Sequence, residues 1–150
     1  MFRKLAIFIL AFSTLPSVAA AAAEPCVKET QALMSINSSW PNLYREASVL
    51  PVGCFDGYFG EGISDTIVRK MGEDWPGFIK VLAAHRNNKR FFSVVLDSIN
   101  ATLGADDVEA VYKLSQQSCP SKLASKCKAI SQRATETLIE INEPSSPGGL

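Results

Sequence analysis

The sequence is poor in the groups that most enzymes need. Among its 150 residues there is one histidine, His85, and no Cys-x-x-Cys pair. A triad needs a nucleophile polarised by a base that is itself oriented, and no signature motif accompanies His85. It lies beside Arg86, Lys89 and Arg90, at the end of an expected helix whose dipole favours a cation there, and reads as a surface histidine. The gaps between cysteines fit no zinc signature, so neither metal nor cofactor is expected. No apolar run reaches the ~20 residues that span a bilayer; the longest, Leu5 to Leu15, falls well short. No internal repeat occurs, and there is little sign of alternating strand patterns. With 15 basic and 15 acidic residues, the chain carries neither a nucleic-acid footprint nor a strongly acidic character. Gly57-Tyr58-Phe59-Gly60-Glu61-Gly62 lacks the glycine order, preceding strand and following lysine of a phosphate loop.

What is present begins with a leader. Met1-Phe2-Arg3-Lys4, the apolar run and the small residues Ala21-Ala22-Ala23 have the layout of a secretion signal over residues 1–23. Its removal would leave 13 basic against 15 acidic residues, a net charge of −2. The expected product is a soluble periplasmic or secreted domain over residues 24–142, with a low-complexity, disordered tail over 143–150. All four cysteines, Cys26, Cys54, Cys119 and Cys127, lie after the leader and would meet an oxidising compartment. Three pairings are open. The one with local links, Cys26 with Cys54 and Cys119 with Cys127, is favoured.

Helical spacing organises the rest. Helices are expected over Val27–Ile36, over Asn42–Leu50 between two prolines, and over Gly57–Met71 with inward Ile63, Ile67 and Met71. The glycines of the third mark close packing or an irregular first turn. Asp74-Trp75-Pro76 restarts the chain. Asn87-Asn88 turns it into a helix burying Phe91, Phe92, Val95, Ile99 and Leu103 and ended by Gly104. Asp106 and Glu109 have capping-box spacing ahead of the Val108, Val111, Tyr112, Ser115 stripe. Pro120 opens the longest segment, with Leu123, Cys127, Ile130, Ala134, Leu138 and Ile141 inward. The predicted fold is an all-α, compact, single-domain bundle of five to seven helices stapled by disulfides.

Two kinds of feature could carry function. Asp56, Glu61 and Asp65 form an acidic cluster, with Glu61 and Asp65 one turn apart. Such carboxylates could act as an acid/base pair on a glycan, contact a partner, or be solvated with Asp65 paired to Arg69. Tyr58 fits a core stripe but sits within this cluster and is grouped with it as a contact. Trp40 and Tyr44, in Trp40-Pro41-Asn42-Leu43-Tyr44, are less clearly periodic, and their expected partial exposure makes that stretch a second candidate contact surface. The base-rich segments Lys80–Arg90 and Lys122–Arg133 read as solvated faces.

The stretch Cys54-Phe55-Asp56-Gly57-Tyr58-Phe59-Gly60-Glu61-Gly62-Ile63-Ser64-Asp65 resembles part of the amidase-immunity group, the small exported immunity proteins of type VI secretion. These carry a cysteine, then a Gly-Tyr pair, then Gly-x-x-Asp on a helix. This chain has one extra residue before the Gly-Tyr pair and another before Gly62. The resemblance implies a disulfide-bonded helical periplasmic protein that binds and blocks a cell-wall-attacking effector. The expected function is therefore an exported, non-enzymatic interaction protein, with a secreted effector enzyme or a second copy of the chain as protein partner. A cell-envelope structural or stress protein, or a carboxylate-dependent hydrolase, is the alternative.

Overall fold

The structure is a computed structural model that describes residues 26, 30, 33, 34, 38–55 and 57–143. Among these, six α-helices follow one another without a strand: α1 Trp40–Val49, α2 Gly57–Glu73, α3 Trp75–Ala84, α4 Lys89–Ser98, α5 Ala105–Gln117 and α6 Ala124–Asn142. Short 3₁₀ turns, Val52–Phe55 and Ser121–Leu123, precede α2 and α6. The all-α expectation holds. Of the expected helix Val27–Ile36, Thr30 and Leu33 have helical backbone and Met34 lies in a turn; Cys26, one residue ahead of that stretch, is helical too, and the Thr30 hydroxyl donates to its carbonyl one turn back. The other residues of that stretch, like the expected leader and residues 144–150 of the expected tail, lie outside the described residues.

Several helix starts follow the local chemistry. Asp74 caps α3 by accepting the Gly77 amide at 3.0 Å, and Asn88 caps α4 by accepting the Phe91 amide at 3.0 Å. Pro41 and Pro76 sit in first turns, where no amide is missed. That tolerance lets α1 begin at Trp40, two residues ahead of expectation.

The chain between α4 and α5 departs from the reading. Helix α4 stops at Ser98, and the Ile99–Leu103 stretch expected to extend it is a turn. Asn100 explains this: its amide donates to the Asp97 carbonyl, and its Oδ1 accepts from the Thr102 amide and hydroxyl, offering the backbone a local alternative to the helix. Gly104, with φ −66°, is the N-cap of α5 and not the end of α4. Asp106 and Glu109 consequently form no capping box. Asp106 and Asp107 lie in the first turn of α5, where carboxylates suit the dipole.

No described residue other than Gly57 has positive φ, so none of these helices ends in a left-handed cap. Their terminal carbonyls are taken by side chains from distant segments instead. Arg90 donates to Leu50 O after α1, and Trp40 Nε1 to Asp74 O after α2 at 3.1 Å. Arg133 Nε and Thr137 Oγ1 both donate to Ile99 O after α4, at 2.9 and 3.0 Å. Trp75 Nε1 donates to Ser118 O after α5 at 3.0 Å. Each such bond fixes a helix end to another part of the bundle.

Helix α2 is central, packing on α3, α4 and α5 through the buried Ile63, Ile67, Val68 and Met71. Phe78 and Phe91 are fully buried, each contributing about 1.5–3 kcal/mol of transfer free energy. The α5–α6 hairpin has the most extensive interface, with Val108, Val111 and Ser115 against Cys127, Ile130 and Ala134. Both disulfides form as favoured: Cys26–Cys54, with Cα atoms 5.3 Å apart, and Cys119–Cys127, with Cα atoms 6.2 Å apart. The second closes the turn of the α5–α6 hairpin.

Candidate functional site

Helix α2 presents the acidic segment, and its first turn is shaped by two glycines. Gly57 adopts φ +60°, a conformation that side chains resist, and turns the chain out of the 3₁₀ turn. Gly60 is buried against that turn: a Cβ there would lie 2.0 Å from Phe55 O. The start of α2 is thus pressed onto the segment that Cys54 joins to Cys26. The sequence expectation of close packing and an irregular first turn is met at these two positions.

This geometry turns Tyr58 outward. The residue is 74% exposed, and its ring meets half-buried Phe59 edge-on, at 5.7 Å between centroids. The core-stripe expectation for Tyr58 is therefore corrected; Phe59 takes the inward position of the first turn. Tyr58, Glu61 and Asp65 are spaced to share one face of α2, and all three are exposed. Asp65 pairs with Arg69 at 3.6 Å, an exposed i,i+4 pair contributing a few tenths of a kcal/mol. Glu61 also borders a polar cleft of about 310 Å³ that Phe55, Asn100, Thr102, Arg133 and Glu140 help to line. Asp56 lies outside the described residues.

The second candidate surface does not survive intact. Trp40, expected to be partly exposed, is 4% exposed, with its ring 5.2 Å from Phe78 and its N–H on Asp74 O. Its place at the first position of α1, facing α3, draws it inward. Tyr44 is half-buried: it stacks on His85 at 3.7 Å, meets Phe91 edge-on, and its hydroxyl accepts from Asn88 Nδ2 at 3.0 Å. These rings chiefly hold α1 on α3 and α4. His85 is the exposed C-cap of α3, as its position in the sequence implied.

The basic segments are not uniformly solvated. Lys80, Arg86, Lys89, Lys122 and Lys128 are exposed, but Arg90 and Arg133 hold the helix-end carbonyls described above. Lys126 sits over the Phe92 ring at 3.7 Å, and partial burial pushes its pKa below the ordinary 10.5. Sequence reasoning missed these roles because a base that caps a distant carbonyl has no local signature.

Among the described residues, no group of three or more His, Cys, Asp or Glu is placed to hold a metal ion. The cysteines are all in disulfides. No described helix is long and apolar enough to cross a membrane. No family model, curated protein or solved structure matches this chain.

Proposed function

We propose that this chain is an exported helical interaction protein that binds and inhibits a partner enzyme through the outward face of α2, with Tyr58, Glu61 and Asp65 as its contacts. The observation that carries the reading is the exposure of Tyr58 beside two carboxylates on a well-anchored helix. An aromatic ring that could bury a large apolar area, set among charges, has the makeup of an interface anchor. The turn beneath it is tied to Cys26 and pressed against Gly60, so little ordering is needed on binding. Acidic side chains around the ring suit a partner whose cleft is basic or polar.

The leader and the two disulfides support a periplasmic site of action. The resemblance of residues 54–65 to the amidase-immunity group makes a cell-wall-cutting effector the concrete partner. Co-expressing the chain with the product of a neighbouring effector gene tests this reading. A co-purifying complex and rescue of growth are expected, both weakened by Tyr58→Ala. Neither complex nor rescue would overturn it.

A further inference from the structure

A groove of about 610 Å³ opens where α1, α3 and the last turn of α2 meet, away from the Tyr58 face and larger than the Glu61 cleft. Its floor is apolar: the indole edge of Trp40, Pro41, Val81 and Ala84. Its rim is cationic, with Lys70 from α2 and Lys80 from α3. Neither lysine has an ion pair among the described residues, although Lys70 is half-buried. The acid in the wall, Asp74, is already engaged, its carboxylate capping α3 through the Gly77 amide. The Trp40 N–H is likewise committed, to Asp74 O, so this largely buried indole offers the groove an apolar edge and no free polar atom. His85 borders the groove, its imidazole held by the Tyr44 stack.

Keeping an apolar floor in contact with water costs free energy, and so does holding two like charges on its rim with no carboxylate ion-paired to either. A ligand that covers the floor and brings its own anion removes both costs. The volume is in the range of small-molecule sites.

We propose that this groove binds a small amphiphilic anion, with an acyl or aromatic body on Trp40, Pro41, Val81 and Ala84 and a carboxylate or sulfate held between Lys70 and Lys80. The proposal does not depend on the partner-binding role of α2, because Tyr58, Glu61 and Asp65 do not line the groove.

Titrating the mature chain with decanoate below its micelle concentration, followed by amide and indole N–H chemical shifts, tests it. Saturable shifts centred on the Trp40 indole, Gly77 and Val81 are expected, with decyltrimethylammonium binding at least about tenfold more weakly. The double variant Lys70→Gln/Lys80→Gln should weaken decanoate binding at least about tenfold, since each lysine supplies a charge-assisted contact. Lys122→Gln/Lys128→Gln, which removes the same charge from exposed sites elsewhere, should leave it unchanged. Thermal melts confirm that both variants fold. Shifts centred elsewhere, equal affinity for the cationic amphiphile, or equal weakening by both double variants would overturn the proposal. Association with phosphatidylglycerol vesicles without saturable decanoate binding would overturn it too.

Discussion

Replacing Gly60 by alanine sets two physical effects against each other. Gly60 lies inside α2, where helix propensity alone favours alanine by about 1 kcal/mol. The added Cβ would lie 2.0 Å from the Phe55 carbonyl oxygen and 2.6 Å from its carbon. Both atoms are backbone, so no side chain can swing aside. Relief needs a shift of more than an ångström by α2 or by the Val52–Phe55 turn, and that turn is fixed through Cys54 to Cys26. Overpacking of this kind costs about 1–3 kcal/mol, and so close an approach to two backbone atoms belongs at the upper end, about 3 kcal/mol against a propensity gain of about 1 kcal/mol. Gly60→Ala is therefore expected to be destabilising by about 2 kcal/mol net in urea unfolding, with an unchanged m-value.

Gly72→Ala is the control on the same helix. Its nearest neighbour would be the Ala110 Cβ at 3.9 Å, an ordinary contact, and it should stabilise by about 0.5–1 kcal/mol. If Gly60→Ala is neutral or stabilising, the close approach of α2 to Phe55 is wrong. The rigid presentation of Tyr58 would fall with it.

Other expectations can be checked on the same material. Cys119→Ser/Cys127→Ser should cost about 2–3 kcal/mol and Cys26→Ser/Cys54→Ser about 3–4 kcal/mol, since the longer loop releases more chain entropy; peptide mapping of the unreduced chain that finds other pairings would refute the links. Thr137→Val and Arg133→Met each remove a donor to Ile99 O and should each cost about 1 kcal/mol in thermal unfolding. The double variant, which leaves that carbonyl without either donor, should cost more than the two losses together. Lys126 should titrate below 10.5 by NMR, in the direction that burial dictates; a value above 10.5 would mean that contact with Phe92 dominates.

The helical stripes and the disulfide pairing were legible because both are local. Leu123, Cys127, Ile130 and Ala134 recur at helical spacing and are buried together. Asp74 and Asn88 sit next to the amides they cap. What escaped was decided at long range or by competition between local options. Helix α4 stops at Ser98 because Asn100 bonds its own backbone and Arg133 and Thr137 claim the Ile99 carbonyl. Trp40 is buried because Asp74 O waits for its N–H from 34 residues away. The acidic face of α2 was visible in the spacing of Glu61 and Asp65. The outward turn of Tyr58 follows from Gly57 and Gly60, whose packing against Phe55 no periodicity encodes.

Hydrogen–deuterium exchange on the complex with the proposed effector partner tests the central claim most directly. Binding through Tyr58, Glu61 and Asp65 should slow exchange in the first half of α2, over residues 57–66, and leave the α5–α6 hairpin as it is in the free chain. Unchanged exchange over 57–66, with protection only elsewhere in the bundle, would contradict it.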